Sequence, residues 1–199
     1  MTKDFLEAIE RHRSIYGIGE DINVTRERIQ EIVGQSILNT PSAFNSQSAR
    51  VAILFGEQHK KLWGIIMETL RKIVPATAFA QTGQKVNSFA AGAGTILYFE
   101  DMSTVEALQK QYATYKDNFP VWSLESNGML EFVIWTALEQ EGLGASLQHY
   151  NPLIDDKVKS TWDLPAAWKL LAQMPFGARL SEPGEKTFLP VEDRLRVFE

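Results

Sequence analysis

RVAILFGEQHKKLWGIIMETLRKI, residues 50–73, decides the architecture because its hydrophobic period changes at Gly56. Residues 50–55 are an unbroken aliphatic and β-branched run, the composition of a strand buried on both faces, and Gly56 closes it. Beyond it Leu62, Ile65, Ile66, Leu70 and Ile73 recur at the 3.6-residue spacing of a helix that Pro75 ends. Upstream, Thr2 caps a helix carrying Phe5, Leu6, Ile9 and His12, with Gly17 and Gly19 as its stop, and residues 25–39 form a second, with the stripe Ile29, Ile32, Val33 and Ile37. Downstream, the small and polar residues 76–94 read as a loop with at most one helical turn, and TILYF, residues 95–99, as a strand. Ser103 caps a helix to about residue 115, and Pro120 opens a longer one to about residue 141. GASLQHYN is a short extended segment, and residues 168–176 are a strand before a polar tail. Two helices precede the first strand and two follow the second, so the order is not a βαβ alternation and the fold class is α+β, one domain over residues 1–199.

Composition narrows the function. A chain of 199 residues buries about 70% of its extended surface, and 44% apolar with 23% charged residues is globular. The net charge of -5 argues against nucleic acid as the main ligand, since neutralising phosphates requires a basic excess. Without cysteine there is no disulfide, thiolate nucleophile or Cys-held metal, so redox chemistry must be carried by a bound organic cofactor. His12, His59 and His149 form no metal-ligand spacing. The charged N-terminus lacks a secretory signal, which points to the cytoplasm. The most apolar stretch, residues 129–138, contains Glu131 and falls far short of the roughly 20 residues that span a bilayer. Its LEFVIWTAL core, apolar on nearly every side, belongs in a core or an oligomer interface.

Three polar clusters remain. RHRSIY, residues 11–16, gathers Arg11, His12, Arg13 and Ser14 at a helix end, where they suit a phosphate or simply complement the helix dipole. TPSAFNSQ, residues 40–47, offers Ser42, Asn45, Ser46 and Gln47, whose amides fit the edge of a planar heterocycle or satisfy the loop itself. GLGASLQHYN, residues 142–151, follows a helix and lacks a third glycine, so it is not a dinucleotide loop; its small residues admit a flat ligand close to the backbone. The pairs Asp155 with Asp156 and Glu139 with Glu141 read as solvated faces, and the five tryptophans as core or interface.

Taken in order, RHRSIY, NTPSAFNSQ, HKKLW, WTALE with GLGASLQHYN, and EKTFLP resemble the FMN-dependent nitroreductase family, most nearly its short nitroreductase-like branch that includes the fatty-acid-repression-type proteins. The resemblance covers almost the whole chain. It implies a central, mostly antiparallel sheet surrounded by helices, an interlocked homodimer, and FMN at the subunit interface. It also implies ping-pong hydride transfer from NADH or NADPH to a nitroaromatic, N-oxide or quinone-type acceptor. No side chain is catalytic in it; the chemistry sits on the flavin N5.

The same resemblance assigns His12, Arg13 and Ser14 to the flavin phosphate and its neighbours, with Arg11 beside them among the cofactor-binding residues. Pro41, Ser42 and Ala43 reach FMN from the partner subunit, and Asn45 and Gln47 shape the pocket. Leu147 covers one ring face, the backbone of Gln148, His149 and Tyr150 lies near N5, and Lys186 opens the C-terminal phosphate clamp. Three positions depart from the family pattern: His12 where Arg is usual, Tyr16 where a cation meets the flavin pyrimidine, and Phe188 in place of the second clamp cation. A phenol stabilises the negative charge of a reduced flavin less than a cation does, so Lys85 or Arg13 would have to substitute. A second reading is a flavin-binding regulatory or stress-response protein in lipid or redox signalling, with incidental turnover.

Overall fold

The computed structural model describes residues 5–199. The chain runs α1 (Phe5–Arg11), β1 (Ile18–Gly19), α2 (Arg26–Asn39), β2 (Ala49–Phe55), α3 (Gly56–Ile73), α4 (Ala76–Ala90), β3 (Gly94–Asp101), α5 (Met102–Gln111), α6 (Phe119–Gln140), β4 (Leu143–Ala145), α7 (Asp155–Thr161) and β5 (Trp168–Arg179). The Thr2 cap expected for α1 lies outside the described residues. Gly56 takes a φ of +51°, a left-handed conformation that costs glycine nothing, and so converts β2 into α3 without a loop.

The strands order as β1-β5-β3-β2, with β4 also on β5, and every pair is antiparallel. Because side chains alternate along a strand, β3 feeds two cores. Ile96 and Tyr98 pack with Ile29 and Val33 of α2 and Leu130, Ile134 and Leu138 of α6. Leu97 and Phe99 pack with Leu62, Trp63 and Ile66 of α3, Val86 and Phe89 of α4, and Val158 of α7. All eight residues of β3 are buried. No helix among the described residues is long and apolar enough to cross a membrane.

The largest correction is α4, fifteen residues of helix where the sequence read as loop. Its apolar signal is thin, but Gly83, Val86 and Phe89 are buried at helical spacing, and Arg71 of α3 sits 4.7 Å over the Phe79 ring. Docking on α3 supplies the stability that the local pattern does not advertise. Helix α1 stops at Arg11, well before Gly17. Gly17 and Gly19 instead line β5's extension, where a Cβ on Gly17 would stand 2.7 Å from Ser181 Oγ. Asp101, not Ser103, caps α5: its Oδ1 accepts from the Ser103 amide at 3.1 Å. Helix α5 ends at Gln111, followed by a single 3-10 turn over Ala113–Tyr115. Asp155 and Asp156 open a helix, α7, that sequence periodicity did not reveal.

Glu131 sits half-buried on α6, and desolvation pushes its carboxyl up from 4.5 to about 7. Its folded pKa exceeds its unfolded value, so its contribution is intact below pH 4.5 and is lost as the pH rises through 7. Glu131→Gln removes this penalty. The variant is expected to be up to about 3 kcal/mol more stable than the parent above pH 7 and equal to it near pH 4. Urea unfolding of both proteins at the two pH values checks this; a difference independent of pH would contradict it.

Candidate functional site

The turn after α1 is held from two sides. The Ile15 amide donates to the Ala145 carbonyl at 2.9 Å, and Ser14 bridges Ala145 in the only parallel pairing among the described residues. On the other side, Leu180 N donates to Gly17 O at 2.9 Å, Gly17 N to Ser181 Oγ at 3.3 Å, and Arg13 Nη2 to Gly184 O at 2.7 Å. Gly144 is required for this approach, because a Cβ there would lie 2.9 Å from Ile15 Cγ2. Three stretches far apart in sequence, around residues 11–16, 143–149 and 179–186, thus form one side of the molecule.

Within this group the side chains divide by their partners. Arg11 is exposed and pairs with Glu7 at 3.2 Å. His12 donates from Nδ1 to Ile9 O at 2.8 Å and packs edge-on against Phe132 and Trp135 at 5.0 and 5.1 Å, so it anchors the turn to α6. Among the described residues Arg13 donates only to a neutral carbonyl, and the exposed Lys186 ammonium lies 5.2 Å over the Phe188 ring. Neither has a carboxylate partner among the described residues. Two cations on tethered segments without a counter-ion are the donor set a phosphate dianion takes.

The extended segment decides which amides are free. Gln148 N donates to Gln173 O at 2.7 Å and Gln148 O accepts from Gln173 N at 2.9 Å, while Tyr150 N donates to Gln173 Oε1 at 2.7 Å. Both amides are therefore unavailable to a ligand. Alternation along the strand turns the amides of Leu147 and His149 to the edge on which Ala145 meets Ile15, and neither donates among the described residues. The His149 side chain is exposed and the Leu147 side chain is half-buried against the core.

Tyr16, 49% exposed, packs 5.8 Å from Phe89, and the Lys85 ammonium stands 5.5 Å over its ring. Both Lys85 and Phe89 come from α4, so this cation reaches Tyr16 through an element that sequence patterning missed. Lys85 likewise has no carboxylate partner among the described residues.

The loop of residues 41–47 belongs to another part of the chain's surface. Phe44, Asn45 and Gln47 all have left-handed φ, at 56°, 51° and 48°. The turn holds itself: Ser42 O accepts from Asn45 N at 2.9 Å and Ser42 Oγ from Gln47 N at 3.0 Å. Arg50 donates to Gln47 O at 2.6 Å and pairs with Asp101 at 2.9 Å. Beside it lies a cavity of about 360 Å³ lined by Pro41, Ser42, Gln47, Arg50, Ser126 and Trp168. Ala43 borders the adjoining open groove with Phe44 and Trp122. This loop meets α6 near residues 122–129, whereas the N-terminal turn meets it at residues 132 and 135. The centres of these two ranges lie about eight residues apart on the helix, roughly 12 Å, and no hydrogen bond or ring contact among the described residues joins the two groups.

HKKLW proves to be a core motif. Trp63 Nε1 donates to Thr95 Oγ1 at 3.0 Å, leaving the hydroxyl proton for His59 Nδ1 at 2.8 Å, and His59 Nε2 donates to Ala90 O at 3.2 Å. Burial pushes the His59 imidazole down to about 4. No group of His, Asp and Glu able to hold a metal occurs among the described residues.

The sequence model of the nitroreductase family matches residues 9–178. The nitroreductase FRM2 of Saccharomyces cerevisiae is 34% identical over 192 residues, covering 94% of each chain. The nitroreductase CinD of Lactococcus lactis, solved in complex with chloramphenicol, is 43% identical, covers 98% of this chain and all of its own, and superposes with a TM-score of 0.90. A structure from Exiguobacterium sibiricum solved with FMN, 14% identical with a TM-score of 0.73 and covering 98% of both chains, shares the fold. On a family match that spans both the paired strands and the N-terminal turn, and on relatives this similar along nearly the whole chain, the protein belongs to the nitroreductase family and is an oxidoreductase.

Proposed function

We propose that the protein is an FMN-dependent NAD(P)H oxidoreductase that works as a homodimer and reduces nitroaromatic, N-oxide or quinone-type acceptors. The carrying observation is that Arg13 and the segment leading to Lys186 are tied together at one turn while neither cation has a counter-ion among the described residues. Bound FMN supplies hydride and electron transfer, which no side chain of this chain provides.

The chain's own groups bind and orient. Arg13 and Lys186 take the phosphate, with Arg11 and Ser14 at the margin, while His12 fixes the turn on α6. The amides of Leu147 and His149 are the donors left for the ring edge near N5, and Gln148 and Tyr150 hold that edge in place through Gln173. Lys85, carried over the Tyr16 ring, supplies the positive charge that a phenol lacks at the pyrimidine end.

The loop of Pro41, Ser42, Ala43, Asn45 and Gln47 reaches the flavin from the other subunit. Its separation along α6 from the N-terminal turn supports this, as do the exposed apolar residues Val121, Leu124 and Val133 on the same helix. Such a face on a soluble helix fits a partner. Nitroaromatic acceptors are supported by CinD, solved with chloramphenicol and with 4-nitrophenol.

The test is anaerobic. Protein loaded with FMN, of dimeric mass by light scattering, should lose its visible flavin absorption on adding NADH or NADPH and regain it on adding a nitroarene. Bound flavin that neither nicotinamide reduces would contradict the proposal.

A further inference from the structure

We propose that the open groove between the 41–44 loop and α6 is the acceptor site and that Glu125 at its rim sorts acceptors by charge, favouring neutral or cationic planar arenes over anionic ones. The inference deepens the proposed function and rests on it, since the same loop borders the flavin there.

The groove encloses about 460 Å³, within the range of small-molecule sites, and Pro41, Phe44, Trp122 and Met129 give it apolar walls. Phe44 is presented to it in a defined way. Its ring lies nearly parallel to Trp122, at 19° and 6.0 Å, and is held by ring contacts with Tyr112, Tyr115 and Phe119 at 4.8, 5.8 and 5.3 Å. Yet Phe44 remains 50% exposed. A left-handed φ is costly for a bulky residue, and this packing retains it, leaving an aromatic face on which a flat ligand can stack.

Charge then selects among flat ligands. Glu125 is the only ionisable residue lining the groove, is exposed, and has no ion-pair partner among the described residues. The nearest lining cation of the neighbouring cavity, Arg50, is neutralised by Asp101 at 2.9 Å. An arene carboxylate in the groove therefore meets a like charge that no cation lining the groove offsets, which at such spacings weakens binding about three- to tenfold.

The test measures binding of 4-nitrobenzoate and 4-nitrobenzamide to FMN-loaded protein by calorimetry, for the parent, Glu125→Gln and Glu125→Lys. The ratio of the two dissociation constants cancels intrinsic differences between the ligands. It should shift about three- to tenfold in favour of the benzoate in Glu125→Gln, and further in Glu125→Lys. In the parent alone it should relax towards the Glu125→Gln value at about 1 M salt, where the screening length is about 3 Å. Phe44→Ala should weaken both ligands alike. An unchanged ratio, or a parent that binds neither ligand, overturns the inference. Flavin reduction by NAD(P)H in the same samples reports separately on the proposed function, because the binding ratio needs no turnover.

Discussion

Arg13→Ala is expected to weaken FMN binding about ten- to a hundredfold, the largest single loss of any side chain in the proposed site. A charged donor to a phosphate contributes about 1.5–3 kcal/mol, and each 1.4 kcal/mol is a factor of ten. Arg13 is the side chain for which this estimate applies in full. It is partly buried, and its only partner among the described residues is the Gly184 carbonyl, so none of their carboxylates competes for the guanidinium. Lys186 is exposed and makes no hydrogen bond that fixes its ammonium among the described residues, so Lys186→Ala should lose only a few-fold. Lys157→Ala, an exposed cation on α7, should leave FMN affinity unchanged. Fluorescence titration of FMN into the stripped proteins gives all three constants. Equal affinity in Arg13→Ala and Lys157→Ala would remove the phosphate assignment.

The second large effect is on stability. His59→Ala should destabilise the protein by about 2–4 kcal/mol, because it empties a buried ring site, takes the acceptor from the Thr95 hydroxyl proton and removes the donor to the Ala90 carbonyl. The effect also carries a pH signature. The folded His59 titrates near 4, below its ordinary 6.5, so between those values the unfolded chain binds more protons than the folded one. Stability from the neutral imidazole is complete above pH 6.5 and falls by about 3 kcal/mol as the pH drops to 4. Glu131 acts in the opposite sense over nearly the same range, so the parent's profile alone would conceal it. The difference in unfolding free energy between the parent and His59→Gln isolates the histidine. It should shrink as the pH falls from 7.5 to 4.5, and a constant difference would show that the imidazole is not held neutral.

Where the sequence was legible, one physical pattern dominated a whole element. The helix of residues 56–73 has a full apolar stripe, and β3 is hydrophobic at consecutive positions because both of its faces are covered. Helix α4 was not legible because only one of its faces is buried, and that face includes Gly83, which contributes no apolar signal. With α4 unread, Lys85 could be named as a substitute cation but not placed; its position over Tyr16 follows only from the docking of α4. The cationic turn was visible as a cluster of residue types. Arg13 and His12 nevertheless do different work, which depends on Gly184 and on Phe132 and Trp135, none of them neighbours in sequence.

The amides show the same limit more sharply. A stretch of small residues marks a place where backbone can approach a ligand, but not which N–H is free. That depends on the register of the strand against Gln173, which takes up Gln148 and Tyr150 and leaves His149 and Leu147. The loop of residues 41–47 looked equally suited to binding and to satisfying itself. It does satisfy itself through Ser42, and the groove beside it is formed by Phe44 and α6, a pairing that no local pattern encodes.

A crystal structure of the FMN-loaded protein tests the central claim most directly. The account predicts the phosphate at hydrogen-bond distance from Arg13 and Lys186 of one subunit, the His149 amide turned to the ring, and Ser42 approaching from the other subunit. A phosphate bound away from Arg13, or a complete flavin site formed within one chain, would contradict it.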